Sequence, residues 1–388
     1  MPLSVAPPNS NIYATGEVSL ETVRAELKTE NPEYRNKRTL PAEWAPQSAI
    51  QLTWPHENTD WAYMLSEVTA TFTRLAFEIA TRQPLIIVHP DTEVLSAYLK
   101  KHLPKAVFEQ IRFVQAPTND TWARDHAFLT VLDTKGPELL DFRFNGWGGK
   151  FEAALDNAIN RQLIEQGVLK GHYQDCNDFE LEGGAIESDG QGTLLTTEEC
   201  LLNANRRREG DSVPTLDRKQ VELLLQERFG VERVLWLANG YLAGDDTDSH
   251  VDTLARLCPQ NTIVYVKCTD PDDEHFSALQ AMEAELQAFQ TADGKPYRLL
   301  ALPMADPCFD EDGERLPATY ANFLIMNKAV LLPTYNQPEN DELAIKVLQQ
   351  AFPNYEIVGI DCRTLIRQHG SLHCVTMQYP RGVYVAKA

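Results

Sequence analysis

The sequence predicts an α/β fold closed into a propeller-like ring. Three observations lead there. From Pro41 onward, helix-periodic and strand-like segments alternate to the end of the chain. After the strand that follows each helix comes a polar or glycine-rich turn, then another strand. The residues with chemical potential, Asp125, Glu182, His250 and Cys374, all fall in such turns. Equivalent turns of repeated units meet when the units surround an axis. A doubly wound sheet is the competing architecture, but no dinucleotide-type glycine fingerprint links a strand to a helix, and adjacent strand pairs are frequent.

Each element has its own signal. Residues 1–40 are polar and proline-bearing, with one short helical pattern from Leu20 to Leu27, and read as an N-terminal arm. Ala49 to Trp54 reads as a strand stopped by Pro55. Met64, Leu65, Val68, Phe72, Leu75 and Ile79 recur at helical spacing. Leu85 to Val88 is a wholly apolar strand closed by Pro90. A helix near 94–103 leads to a strand at 111–114, and a strand pair follows at 127–133 and 139–144. A helix at 152–166 precedes strands at 184–188 and 193–197. A helix at 216–229, ended by Gly230, leads to Val234–Leu237. A helix at 275–291 leads to Tyr297–Leu302, and one at 341–351 to Tyr355–Ile360. No linker divides the chain, so 41–388 reads as one catalytic domain.

Bulk properties narrow the function. The hydrophobic fraction of 43% supplies a large core. The formal net charge of -21 repels nucleic acid and anionic membrane and attracts small cations. Seven cysteines are dispersed and never form a C-x-x-C pair, which fits neither a disulfide framework nor a zinc ribbon and suits a reducing compartment. Met1 to Ala14 lacks the basic and apolar regions of a signal peptide, and no apolar run reaches about 18 residues. A cytoplasmic protein without nucleic-acid or membrane partners is the expectation.

Cys374 opens a short β-type run, Val375-Thr376-Met377, after the turn at Gly370-Ser371. Most cysteines simply pack, and a catalytic one needs a nearby base or cation to form its thiolate. His373 is adjacent, but neighbours on a strand point to opposite faces, so it reads as a supporting residue. In Asp248-Ser249-His250-Val251-Asp252, His250 and Asp252 share one face of a strand if Val251 faces the core. That makes His250 the better base, with a carboxylate-satisfied core histidine as the plain alternative. A metal site is disfavoured because no third histidine stands at ligand spacing. Asp125 follows Trp122-Ala123-Arg124 at a strand edge, where it could equally cap a turn. Glu182 precedes Gly183-Gly184, where the backbone can bend sharply. Asn145-Gly146-Trp147-Gly148-Gly149-Lys150 reads as a flexible aromatic loop.

Taken in order, these clusters resemble the agmatine deiminase / bacterial (Porphyromonas-type) peptidylarginine deiminase family of the guanidino-group-modifying superfamily. The resemblance rests on Pro41-Ala42-Glu43-Trp44, Trp54-Pro55, Asn119 to Asp125, Phe144 to Gly148, Leu181 to Gly184, Leu194 to Asn203, Thr247 to Asp252 and Leu372 to Thr376. It implies a five-bladed pseudo-symmetric α/β propeller, the pentein fold, and hydrolytic release of an imino nitrogen as ammonia without metal or organic cofactor. It implies Cys374 as nucleophile, His250 as general acid/base supported by Glu182, and Asp125 and Asp252 as guanidinium clamps, with Trp122 and Trp147 at the substrate. It implies a small cationic guanidino substrate and is compatible with a homodimer. Three positions depart from the family pattern: Ser249 replaces a usual glycine, His126-Ala127-Phe128 replaces a small residue, glycine and proline, and His369-Gly370-Ser371 replaces a glycine-richer turn.

The expected activity is agmatine hydrolysis to N-carbamoylputrescine and ammonia, feeding polyamine synthesis. Three rivals stand beside it. A deiminase of free or peptidyl arginine would need a cation for the substrate carboxylate, and Arg206, Arg207 and Arg208 are candidates. A guanidinium-binding protein could keep the scaffold without catalysis. A metal hydrolase would use His250, Asp252 and His373.

Overall fold

A computed structural model describes residues 38–206 and 216–386. The arm's helical pattern at Leu20–Leu27 lies outside the described residues. The sheets are five, one of four strands and four of three. They hold β1 (Gln47–Thr53), β2 (Leu85–His89), β3 (Ile111–Gln115), β4 (Leu129–Asp133), β5 (Gly136–Arg143), β6 (His172–Glu180), β7 (Ile186–Ser188) and β8 (Thr193–Thr197). The remainder are β9 (Arg233–Leu237), β10 (Ala255–Cys258), β11 (Thr262–Lys267), β12 (Arg298–Pro303), β13 (Leu324–Met326), β14 (Ala329–Thr334), β15 (Glu356–Asp361) and β16 (Thr376–Pro380).

Each blade repeats one pattern. A first strand runs antiparallel to a second, a helix crosses over, and a third strand pairs parallel with the second. The blades are β4-β5-β6, β7-β8-β9, β10-β11-β12 and β13-β14-β15. The fifth is closed by the first and last strands of the described residues: β16 lies antiparallel to β1, and β1 and β2 are parallel, with β3 added at the edge. The sheets form a five-bladed α/β propeller.

The crossover helices follow ordinary rules. Helix α1 (Leu65–Ala80) buries Val68, Phe72, Leu75 and Ile79 on one stripe. Helix α2 (Thr92–His102) is capped by Asp91, whose side chain accepts from the Val94 amide. Helix α3 spans Ile159–Glu165. Helix α4 (Arg218–Phe229) starts with a capping box of Asp217 and Gln220 and stops at Gly230. Gly230 sits at φ +68, and a Cβ there would lie 2.1 Å from the Arg38 carbonyl oxygen, so both the conformation and the space require glycine. Helices α5 (Phe276–Ala288) and α6 (Pro338–Ala351) complete the set, the latter opening on proline.

Three elements differ from expectation. The helix expected over 152–166 begins only at Ile159, after a 3-10 turn at Asp156–Ala158. The Asp156 carboxylate is occupied in accepting the amides of Asn119 and Asp120, which pins the preceding segment as a loop. Strand β6 has no apolar alternation to announce it, since its pattern is largely polar at a sheet edge. Asp125 lies in a one-turn helix, Ala123–His126, and not at the start of a strand.

Candidate active site

The five blades place one polar turn each immediately before their first strand. These turns carry Asp125 before β4, Glu182-Gly183-Gly184 before β7, His250 and Asp252 before β10, Asn322 before β13 and Cys374 before β16. The pseudo-symmetry therefore gathers them at one end of the ring. Asn322 is the member that sequence reasoning missed. Its signal was the same: a polar residue just ahead of an apolar run, Phe323 to Met326, that holds the short strand β13.

His250 and Asp252 do not share a strand face. Val251–Thr253 is a 3-10 turn with His250 as its N-terminal residue. The turn nevertheless brings both side chains to Gly184. A Cβ on Gly184 would lie 2.6 Å from His250 Nδ1, 3.1 Å from Asp125 Oδ1 and 3.1 Å from Asp252 Oδ2. The space of one missing methyl is where the imidazole and both carboxylates converge. The Gly184 amide donates to Asp125 Oδ1 at 3.2 Å, and the Trp147 indole N–H donates to Asp125 Oδ2 at 3.0 Å. Trp147 adopts φ +54 and ψ 49, an unusual conformation for an aromatic residue, in the turn capped by Asn145.

Cys374 joins this group through the backbone and a cavity. The Arg124 amide donates to the Cys374 carbonyl at 3.0 Å, next to Asp125. The thiol lies 3.4 Å from Asn322 Oδ1. A cleft of about 210 Å³ is lined by Cys374, Asp125, Trp122 and Trp147, with Asp60, Asp120 and Asp246 among its other walls. Trp122 is fixed by its indole N–H to Asp120 Oδ2 at 3.0 Å. A Cβ on Gly370 would lie 2.1 Å from the Trp122 ring, so this glycine lets the loop before Cys374 pack against the indole.

Both ring nitrogens of His250 are buried without a hydrogen-bond partner. Nδ1 lies 3.8 Å from Asp125 Oδ1, and Nε2 lies 4.0 Å from Glu182 Oε2. Burial alone would lower the pKa of this imidazole, but Asp125 foremost, with Cys200 and Glu182, raises it to about 10. These neighbours favour the imidazolium form of His250. Asp125 is raised to about 6, chiefly by burial, with His250 opposing. Burial pushes the Cys374 thiol well above its usual range, and Asp252 and Asp125 add to the shift. Burial would likewise raise Asp252, but its contact with His373 outweighs that and holds it low. Glu182 touches Arg206 more closely than His250, with Arg206 Nε 2.8 Å from Glu182 Oε1.

Arg206 is a correction. It is buried and spends its guanidinium on Glu182, on Asp248 at 2.6 Å and on the Thr247 carbonyl at 2.7 Å, so it is committed away from a substrate carboxylate. Arg207 and Arg208 lie outside the described residues. Ser249 and Asp248 both stand at φ +62, the region glycine favours, and the Ser249 amide is held by Asp245 at 2.8 Å. His126 is buried, touches Thr53 Oγ1 at 3.3 Å and is pushed by burial to a pKa of about 3, a neutral structural ring.

Two groups have metal-like spacing among the described residues: Glu182, Cys200 and His250, and Glu43, Glu187 and His373. Each is already faced by a buried guanidinium. Arg206 Nη2 lies 3.8 Å from Cys200 Sγ, and Arg256 Nε lies 2.5 Å from Glu187. A cation would have to displace a paired arginine, so neither group suits a metal.

A closed α/β ring whose cleft is lined by a buried thiol and by Asp125, with His250 and Asp252 meeting that same carboxylate at Gly184, fits the deiminase class of cysteine hydrolases. Residues 39–380 match the family model described as Porphyromonas-type peptidyl-arginine deiminase. An agmatine deiminase of Stutzerimonas stutzeri is 32% identical over 362 residues, spanning 88% of this chain and 95% of that protein. Among solved structures, a Porphyromonas gingivalis protein provisionally named arginine deiminase is 51% identical, with TM-score 0.83, covering 90% of this chain and all (100%) of that one. A substrate-bound agmatine deiminase of C. jejuni is 37% identical, with TM-score 0.81, covering 89% and 97%. The chain belongs to the Porphyromonas-type peptidyl-arginine deiminase family.

Proposed function

We infer that the protein is an agmatine deiminase, hydrolysing agmatine to N-carbamoylputrescine and ammonia. The observation that carries the substrate choice is the charge of the cleft. Beyond the clamp residue Asp125, its lining carries Asp60 and Asp246, together with Asp120, which burial pushes up to about 7, and no lysine or arginine among the described residues. Such walls suit a dication with an amine tail and disfavour a tail carboxylate. The agmatine deiminases of S. stutzeri and C. jejuni support the same reading. The dispersed, unpaired thiols fit a cytoplasmic setting.

The chemistry follows from the charges. Asp125 and Asp252 hold the planar guanidinium and keep it protonated. Its positive charge offsets the two anions that otherwise keep the thiol neutral, so substrate binding favours loss of the thiol proton to solvent. The thiolate attacks the guanidinium carbon and forms a C–S bond. His250, as the imidazolium, gives a proton to the departing nitrogen, and the C–N bond breaks as ammonia leaves. The neutral imidazole then takes a proton from water, whose oxygen attacks the amidino-thioether carbon. The C–S bond breaks, the adduct's hydroxyl proton passes to the departing sulfur, and the ureido product forms with the thiol restored.

A second reading, hydrolysis of free or peptidyl arginine, is favoured by the 51% identity to the P. gingivalis protein. Steady-state kinetics on agmatine, free arginine and a peptide ending in arginine separate the two. Agmatine should give the highest kcat/KM. No agmatine turnover beside fast peptide citrullination would overturn the choice.

A further inference from the structure

Behind the clamp lies a buried charge network that the reaction above does not use. His373 Nδ1 is 2.7 Å from Asp252 Oδ2, and His373 Nε2 is 2.9 Å from Glu43 Oε2. Arg256 binds the same Glu43 oxygen at 2.5 Å and Glu187 at 2.5 Å, and it donates to the carbonyls of Phe323 and Ala321. All of these side chains are buried. Resting on the deiminase reading, we propose that His373 is a positioning residue, held as an imidazolium between Asp252 and Glu43, that fixes the charge and orientation of the guanidinium-binding carboxylate Asp252.

The argument begins with donors and acceptors. An ionised carboxylate only accepts hydrogen bonds, and each ring nitrogen of His373 faces one at bonding distance. Both nitrogens therefore carry protons. A neutral ring would aim a lone pair at a carboxylate oxygen in a buried site, where such a contact is costly. A proton on Glu43 or Asp252 would also relieve the clash. Arg256 binds Glu43 Oε2 as well, which favours the ionised carboxylate, so the geometry leaves the ring as the place for the proton.

One contact favours the opposite arrangement. Arg256 Nη2 lies 3.1 Å from His373 Nε2 and could donate to a lone pair there. That would leave Nε2 and the Glu43 oxygen as two acceptors 2.9 Å apart. With the ring protonated, both cations converge on Glu43 Oε2 and no acceptors collide.

The ring sits among Asp252 from the turn after His250, Glu43 from the segment before β1, Arg256 from β10 and Glu187 from β7, whose carboxyl is pushed up by burial. Arg124 Nε reaches the His373 carbonyl, at 3.5 Å. The His373 amide is anchored to Asn322 Oδ1 at 2.8 Å, and Cys374 follows directly. The ring and the nucleophile thus belong to one anchored segment. Asp252 spends Oδ2 on the ring and keeps Oδ1 buried without a partner, free for a guanidinium N–H.

The test has two arms. In the first, ring-nitrogen NMR of the uniformly labelled whole protein is recorded from pH 6 to 9, and the His373 signals are assigned by their loss in H373Q or H373N. The expected result is a proton on each ring nitrogen at pH 7 without substrate, as the two carboxylate contacts require. A neutral tautomer at pH 7 would overturn the proposal. In the second arm, H373Q, which keeps a single donor, should raise KM for agmatine roughly tenfold or more while kcat falls less. The acid limb of kcat/KM should also move to higher pH as Asp252 loses its cation. A lowered kcat with unchanged KM and an unmoved limb would refute the role. Should neither variant fold, D252N supplies the assignment by shifting the Nδ1 signal. The spectrum does not require turnover. An inactive wild type with an imidazolium at His373 would therefore overturn the deiminase reading and not the charge assignment.

Discussion

Gly184→Ala is the sharpest probe of the site. Its φ lies outside the left-handed region, so alanine meets no backbone penalty, and the amide that holds Asp125 remains. The new methyl would start 2.6 Å from His250 Nδ1, whereas ordinary contact begins near 3.4 Å, so the ring must retreat by about 0.8 Å. The carboxylates of Asp125 and Asp252, each 3.1 Å away, need give only about 0.3 Å. The burden falls on the acid/base. A displacement approaching 1 Å at a reacting group costs about 10²-fold in rate. Ammonia release should show kcat down about a hundredfold and KM changed by less than tenfold, with Tm near that of the wild type. A variant with wild-type kcat would show that His250 does not act from this position. A large loss of Tm would show that the methyl is absorbed by the scaffold instead.

Other consequences are equally direct. Because burial and two carboxylates keep the free thiol neutral, iodoacetamide should label Cys374 slowly at pH 7.5. A haloacetamidine, which brings its own positive charge, should label it quickly and selectively, and mass spectrometry showing uniform labelling of several cysteines would contradict this. Asp125 at about pH 6 sets a limb: as pH falls through that value the carboxyl gains a proton, the clamp loses its charge, and kcat/KM should drop about tenfold per unit. Trp147→Phe removes an N–H that favours the ionised form, so it should raise KM about tenfold and shift this limb upward; a profile flat to pH 5 would exclude the assignment. Ser249→Gly relieves a left-handed serine and should stabilise by about 1 kcal/mol with activity retained, read as a Tm rise of roughly 2 °C.

Much of this architecture was readable because the units repeat a physical pattern. Buried strands such as Leu85–His89 and apolar helical stripes such as that of α1 announce themselves. The polar turns stood out because charged residues next to apolar strands need a reason. Asn322 escaped because a lone amide before a three-residue strand looks like an ordinary turn. The roles of Glu43, Glu187 and Arg256 escaped for another reason. Their partners lie far apart in the chain, with Arg256 and Glu43 separated by 213 positions, and only the meeting of blades reveals the pairing. The His250–Asp252 pair was placed on a strand because alternation cannot distinguish one extended residue from the opening of a tight turn. Arg206 read as a candidate for a substrate carboxylate, since its acidic neighbours Glu182 and Asp248 are distant in sequence.

The seam between β1 and β16 has a bearing on biosynthesis. Cys374 precedes the strand that zips the circle shut, so a growing polypeptide carries every other residue of the site before this sulfur can dock. A prematurely stopped chain should therefore be catalytically silent, and the appearance of turnover should report that the last seam has formed. Peeling that seam by denaturant or proteolysis should extinguish activity before the remaining four blades melt.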